Sequence, residues 1–318
     1  MPSSESVLVT GVSGFIGGFL SSRLSATGWK VSGVDRRPPS EPSVCADFTQ
    51  ACSADPAVLK AVAEGRYKAV LHQAAISNTL ETDWDALLEH NVVQPLRLAE
   101  ACAASATLFV YASSFSVYGR SERLAMYESA DEDGTSGGPL NLYARSKLLL
   151  DQKMRQQQDR SAPRIGLRYT NVFGVGEPVA GRASSIISKI LHAAAVRRPI
   201  DIFSDTLTAG RDYVPVERIH EFVQGLLDGS ARVPSGVYNL GSGTAVSFAE
   251  LLDWAARFAG PDGLSVRLVA NPIAARYQYW TQADNSAIAA QVPGMGPMSR
   301  EAVREHARAA FDFYAAQI

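Results

Sequence analysis

Short apolar runs alternate with stretches of helical spacing along the first half of the chain. Residues 6–10 read Ser-Val-Leu-Val-Thr and close on Gly11, the pattern of a buried strand and a tight turn. A helix is predicted over 14–27, stopped by Gly28, and a second strand over 30–34 ends at Asp35. Pro38, Pro39 and Pro42 mark a loop. Further strands are predicted over 68–75, 107–113 and 164–169. Helices are predicted over 143–158 and over 84–104, where Leu87, Leu88, Val92, Leu96, Leu98 and Ala99 recur at helical spacing. Strands that alternate with helices require crossover connections. The expected fold class is therefore α/β, a Rossmann doubly wound parallel sheet covered on both faces.

After Thr170 the pattern is less regular. Helices are predicted over 183–196 and 248–258, and one more sheet strand over 236–240. The stretch 133–139 is a loop and not a linker, because helix and strand patterns resume at once. A sheet domain is expected over about 1–169, rejoined by about 212–240. A smaller, interleaved domain takes most of 170–318.

Composition narrows the class. Hydrophobic residues are 46% and charged residues 19% of 318, enough for a large core and against disorder. Lys+Arg 30 against Asp+Glu 32 leaves a net charge of -2, which argues against a nucleic-acid partner held by global charge. Cys45, Cys52 and Cys102 have no C-x-x-C spacing and read as free thiols in a reducing compartment. The five histidines lack ligand spacing, so no metal is expected. The start of the chain has no cationic leader, and no apolar run reaches the roughly 18 residues of a membrane span. A soluble cytoplasmic protein with no membrane partner is expected.

Three features carry chemistry. Gly11-Val12-Ser13-Gly14-Phe15-Ile16-Gly17 follows a strand and opens a helix, so its backbone can approach a pyrophosphate set on the helix N-terminus. Asp35 ends the next strand, where a carboxylate accepts hydrogen bonds from a ribose hydroxyl pair. That carboxylate repels a 2′-phosphate and favours NAD, while Arg36 and Arg37 keep NADP open. Asp47 could receive an adenine amino group or be a turn carboxylate. Tyr143 and Lys147 lie four apart on a predicted helix and share a face. A neighbouring ammonium and the positive nicotinamide ring are both expected to stabilise the phenolate and lower the tyrosine pKa toward the range of a working base. Ser114, after the strand over 107–113, could hydrogen-bond the substrate oxygen and share the proton with Tyr143.

With these stand His72-Gln73-Ala74-Ala75, Asn91, Tyr111-Ala112-Ser113-Ser114, Leu167-Arg168-Tyr169, Asn171-Val172-Phe173-Gly174, Arg211-Asp212-Tyr213-Val214 and Tyr238-Asn239-Leu240-Gly241. In this set the chain resembles the extended short-chain dehydrogenases/reductases, the NAD-dependent epimerase/dehydratase family. The segment around Tyr277 and Pro139-Leu140-Asn141-Leu142-Tyr143 are most similar to its ADP-glycero-manno-heptose 6-epimerases. The resemblance implies an NAD(P)-binding sheet domain and a smaller substrate-binding domain. Candidate cofactor residues are Gly11, Gly14, Phe15, Ile16, Gly17, Asp35, Arg36, Asp47, Phe48, His72, Ala74, Ala75, Asn91, Tyr143 and Lys147. Candidate catalytic residues are Ser114, Tyr143 and Lys147. Candidate substrate residues are Ser114, Asn171, Arg182, Phe203, Arg211 and Tyr277, with Phe203-Ser204-Asp205-Thr206 along the nucleotide. The fork of Arg211 suits a diphosphate, the alternative being an ion pair with Asp212. The implied partners are a nucleotide-activated sugar and a second copy of the chain.

Two departures bear on the reaction. Heptose epimerases of this family use a second base, a lysine in the loop after the Asn-Val-Phe-Gly motif. Counting from Asn171 puts it at Ala180, which transfers no proton, and Arg182 is a poor base. An epimerase with its second base supplied differently and a net reductase or dehydrogenase both remain open. A sugar dehydratase is disfavoured, because Phe115 and Ser116 stand where its acidic pair would follow Ser114.

Overall fold

The computed structural model describes residues 6–41, 44–121, 124–157, 161–179, 184–261 and 263–318. Pro42, Gln158, Ala180, Arg182 and Ala183, invoked above, lie outside the described residues. Val7, Leu8 and Val9 are wholly buried, as befits a central strand, β1 (Ser6–Thr10). Helix α1 (Phe15–Ala26) carries the chain to β2 (Lys30–Asp35), parallel to β1, and β3 (Asp47–Gln50) adds to β2. Helix α2 (Pro56–Ala63) leads to β4 (Ala69–His72) on the other side of β1. Asp55 caps α2 by accepting the Ala57 N–H, with Pro56 at the first helical position. Helices α3 (Trp84–Leu88) and α4 (Gln94–Ser105) then lead to β5 (Leu108–Ser114), parallel to β4. Helix α5 (Leu142–Gln156) leads to β6 (Arg164–Tyr169).

The chain continues through β7 (Asn171–Phe173), α6 (Ile186–Ala195), β8 (Pro199–Phe203), β9 (Gly210–Pro215), α7 (Val216–Asp228) and β10 (Gly236–Leu240). It ends with β11 (Ala245–Ser247), α8 (Phe248–Ala259), β12 (Ser265–Val269), α9 (Ser286–Ala289) and α10 (Arg300–Ala315). The main sheet is seven-stranded and parallel, in the order β10-β6-β5-β4-β1-β2-β3. This is the expected doubly wound α/β fold. The strand order reverses between β1 and β4, so a crevice opens outside their carboxyl ends. A three-stranded sheet has the order β11-β9-β7, and β8 pairs in parallel with β12.

The chain divides into two compact units. One comprises Met1–Ser114, Asn141–Arg168 and His220–Tyr238. Its core packs Leu8, Val58, Val70, Leu98, Phe109 and Leu150. The other comprises Phe115–Leu140, Tyr169–Ile219 and Asn239–Ile318, with Phe173, Ile190, Tyr213, Leu251, Trp254 and Phe311 in its core. Residues 115–140, expected in the sheet domain, group with the second unit, and the chain rejoins the first unit at 220.

The helix predicted over 84–104 is interrupted. A π turn, Glu89–Val93, separates α3 from α4. Pro95 has no N–H, and its ring would strike the Asn91 carbonyl in a regular helix, so the turn widens there. Among the described residues no helix is long and apolar enough to cross a membrane, and no cluster of His, Cys, Asp and Glu could hold a metal.

Two glycines fix the turn after β1. Gly11 has φ +74°, and a Cβ there would lie 2.6 Å from the Ala74 nitrogen. A Cβ on Gly17 would lie 2.2 Å from the Gly11 oxygen, so α1 packs directly on the turn. Gly17→Ala is expected to lower the unfolding free energy by about 1–3 kcal/mol, read from urea denaturation. An unchanged midpoint would show that α1 can lift off the turn.

Candidate functional site

Most of the predicted residues of the first unit gather at the carboxyl ends of its strands, but Asp47 and Phe48 stand at the start of β3, in register with the middle of β2. Gly14 is the N-cap of α1, with no side-chain cap and no acidic residue in the first turn. The positive end of the helix therefore faces outward without a carboxylate of its own, and Gly11 and Gly17 keep the adjoining backbone bare. Phe15 and Ile16, half-buried, begin the helix. Asp35 ends β2 and bridges the turn. Its Oδ2 accepts the Ser13 N–H at 3.1 Å and its Oδ1 the Arg37 N–H at 3.1 Å. Arg36 is exposed, with Nη1 3.4 Å from His90 Nε2. Asp47 opens β3 and is exposed, and half-buried Phe48 is in register with Gly33.

Other predicted cofactor residues are buried or half-buried in the frame behind the turn, and one of them, Asn91, holds backbone in place. His72 is 1% exposed, its Nδ1 2.7 Å from Thr10 Oγ1, its ring stacked on Phe109. Burial, with the Lys147 charge nearby, drops its pKa to about 3, so the imidazole is neutral. Asn91 lies in the π turn, fully buried. Its Oδ1 accepts the Ile76 N–H at 2.9 Å, and its Nδ2 donates to the Ile76 carbonyl and to Ser146 Oγ, each at 3.0 Å. That amide ties the segment after β4 to α5. Ala74, followed by half-buried Ala75, backs Gly11, and its N–H is 3.4 Å from Thr10 Oγ1.

Ser114, Tyr143 and Lys147 come together. Asn141 caps α5, its Oδ1 accepting the Ala144 N–H at 2.8 Å, and sets Tyr143 and Lys147 in the first two turns. The Ser114 and Tyr143 hydroxyls are hydrogen-bonded. Lys147 is 2% exposed, donates to the Ala112 carbonyl at 2.8 Å, and its Nζ is 6.0 Å from the centre of the Tyr143 ring. Burial lowers its pKa to about 8. The expectation that the Lys147 ammonium lowers the Tyr143 pKa is corrected. Burial dominates and pushes its pKa up, and the Ser114 hydrogen bond, not the Lys147 ammonium, opposes the rise.

The predicted substrate residues of the second unit form another cluster. The Arg211 guanidinium carbon is 4.9 Å from the Tyr277 ring centre, and Phe203 meets the same ring edge-on at 6.0 Å. Tyr279 adds a third aromatic, 5.1 Å from Tyr277, and donates to Asp205. Asn171 Nδ2 donates to the Asp212 carbonyl at 3.1 Å and lies 3.3 Å from Thr281 Oγ1. The alternative pairing of Arg211 with Asp212 does not form. The buried Asp212 carboxylate accepts instead from Thr170 Oγ1, the Ser242 hydroxyl and the N–H groups of Ser242, Gly243 and Ala283. Successive residues of β9 point to opposite faces, which separates the two side chains.

Sequence reasoning passed over one group. Asp151, on α5, accepts from Tyr111 at 3.2 Å, Ser113 at 2.9 Å and Arg168 Nε at 2.8 Å, all buried. Its signal was the spacing of four from Lys147, which repeats that of Lys147 from Tyr143.

A parallel sheet with a bare glycine turn, an acid closing the next strand and a Ser–Tyr–Lys group defines the class of extended short-chain dehydrogenases/reductases. The profile of the NAD dependent epimerase/dehydratase family matches residues 7–241, and the chain belongs to that family. An ADP-L-glycero-D-manno-heptose-6-epimerase from Cupriavidus pinatubonensis is 33% identical over 193 residues, 59% of this chain. The match spans little more than half, 56%, of that relative. The structure of MoeE5 in complex with UDP-glucuronic acid and NAD is 26% identical, with a TM-score of 0.80 over 98% of this chain and 100% of that one. A UDP-N-acetylglucosamine 4-epimerase from Methanobrevibacter ruminantium M1 shares the fold, with a TM-score of 0.83 and 20% identity over 100% of both chains.

The neutral His72 has a consequence for stability. Its folded pKa lies below the unfolded value of 6.5, so the unfolded chain binds the proton more readily, and His72 withdraws stability as pH falls below 6.5. Between pH 6.5 and 4.5 this contribution is about 2–3 kcal/mol. Urea denaturation of the wild type and His72→Gln should show the variant losing less stability over that range. Parallel losses would mean that His72 titrates normally in the fold.

Proposed function

We propose that the chain is an NAD-dependent epimerase of a nucleotide-activated sugar, with Tyr143 as its proton-transferring base and acid. The observation that carries this reading is the Ser114–Tyr143 hydrogen bond with the Lys147 ammonium beside it, at the same strand ends as the bare glycine turn. The first unit takes the cofactor. Gly11, Gly14, Phe15, Ile16 and Gly17 receive the pyrophosphate, Asp35 a ribose hydroxyl, and Asp47 and Phe48 flank the adenine. Bound NAD supplies the hydride acceptor and donor, and the positive ring that favours a phenolate at Tyr143.

Tyr143 Oη takes the proton of a sugar hydroxyl while the carbon loses its hydrogen, and Ser114 Oγ hydrogen-bonds the oxygen as it becomes a carbonyl. Lys147 holds the nicotinamide ribose, and the Ser114 hydrogen bond supports negative charge on the phenol. The transient ketone turns, the hydrogen returns to its other face, and Tyr143 returns the proton. A positioned base of this kind contributes about 10²–10⁴-fold.

The second unit takes the nucleotide and the diphosphate. Arg211 offers a planar bidentate donor, and Phe203 and Tyr277 offer apolar faces. The relatives named for ADP- and UDP-linked sugars support this class. A second reading, a net reductase or dehydrogenase, is favoured by Ala180 at the position counted for a second base.

The test is incubation with NAD and a panel of nucleotide sugars, with products identified by NMR. An epimer that keeps a deuterium placed on the reacting carbon, with no accumulation of reduced nicotinamide, is the expected result. Stoichiometric reduced cofactor, or its consumption, would select the second reading. Tyr143→Phe should lower turnover about 10²–10⁴-fold with NAD affinity unchanged. Normal turnover in that variant would remove Tyr143 from the chemistry.

A further inference from the structure

Tyr143, Lys147 and Asp151 stand four residues apart along α5 and form one stripe on the helix. The last of them has no part in the reading above. Asp151 is 0% exposed, and three side chains converge on it. Arg168 Nε, from β6, donates at 2.8 Å to Oδ2 in an ion pair closed to water. Ser113, from β5, donates to the same oxygen at 2.9 Å, and Tyr111 donates to Oδ1 at 3.2 Å. A carboxylate needed only to balance Arg168 would not require this frame.

The surroundings of Lys147 give the frame a purpose. On α5 the ionisable neighbours are Tyr143 and Asp151. From β5 comes the Ala112 carbonyl, 2.8 Å from Nζ, between Tyr111 and Ser113, whose hydroxyls bond Asp151. From β4 comes His72, which is neutral, and from β6 the cation Arg168, bound to Asp151. Arg155 acts on Tyr111 from further along α5. Asp151 is thus the one anion in this set. Burial works against the ammonium, and Asp151 works for it.

We propose that Asp151 is a positioning residue for the proton-transfer group: its carboxylate, fixed by Tyr111 and Ser113 of β5, stands one helical turn from Lys147 and is the anion beside that buried ammonium. The proposal rests on the reading of Lys147 given above. Without the carboxylate, Lys147 would lose the anion one helical turn along, and the ammonium can answer by yielding its proton, which the guanidinium of Arg168 does not do.

The test follows Lys147 directly. Protein labelled with ε-¹³C lysine is titrated by NMR, with the Lys147 resonance assigned by its loss in Lys147→Met. In Asp151→Asn the midpoint is expected to fall by about one pH unit, and in Asp151→Glu to return toward the wild-type value. The alkaline limb of kcat/KM should move with it. Because Asp151→Asn also takes the Asp151 carboxylate from Arg168, the double variant D151N/R168Q, which removes both charges, is measured beside it and should show a smaller fall in the same direction. An unmoved midpoint in either folded variant overturns the proposal, as does a uniform loss of kcat at every pH. A midpoint that falls while the alkaline limb stays put supports Asp151 acting on Lys147. It would instead remove Lys147 from the proposed chemistry, so the two failures are separable.

Discussion

Lys147 carries an ammonium into the interior of the first unit, where an uncompensated charge would cost several kcal/mol. The packing of α5 on β5 answers to that constraint. The Ala112 carbonyl accepts one donor, and Asp151 supplies the opposite charge one helical turn along. Ser113 bonds Asp151 while Ser114, at the end of the strand, bonds Tyr143. The helix cannot slide along the strand without losing both bonds. The placement of the Tyr143 phenol is therefore a consequence of how a buried cation is accommodated.

The second unit solves the reverse problem. Asp212 is a buried anion, and neutral donors from Thr170, Ser242, Gly243 and Ala283 fill its carboxylate. Burial still raises its pKa, against the pull of these donors. Because hydroxyls and amides do this work, the neighbouring Arg211 pairs with no carboxylate among the described residues. Its guanidinium stays over Tyr277 with its charge uncancelled.

The glycine turn, Asp35 and the Tyr143/Lys147 spacing were legible because each is a demand of backbone geometry or helix periodicity. The π turn was not, since Leu87, Val92 and Leu98 keep an apolar face through it and hide the break at Pro95. Strand β12 was missed because Val266 and Leu268 are exposed and do not read as a core run. Strand β3 was missed because it is four residues long and mostly exposed. Helix α10 had readable signals, a Ser299 cap and an apolar stripe of Val303, Ala307, Ala310 and Phe311, that were overlooked. The pKa directions of His72 and Tyr143 could not be read at all. Both come from desolvation, which depends on what the fold brings around a group and not on its neighbours in sequence.

The widened turn at Glu89–Val93 is equivalent to one residue inserted into a continuous helix. Excising that extra residue would restore regular winding but would rotate everything before it by about 100° relative to α4. Asn91 would swing off the Ile76 backbone, and the apolar seam of α3 would turn toward water. The irregularity thus acts as a phase corrector. It lets one rod present two differently aimed faces, and length polymorphism in this short window should be far less tolerable than side-chain exchange.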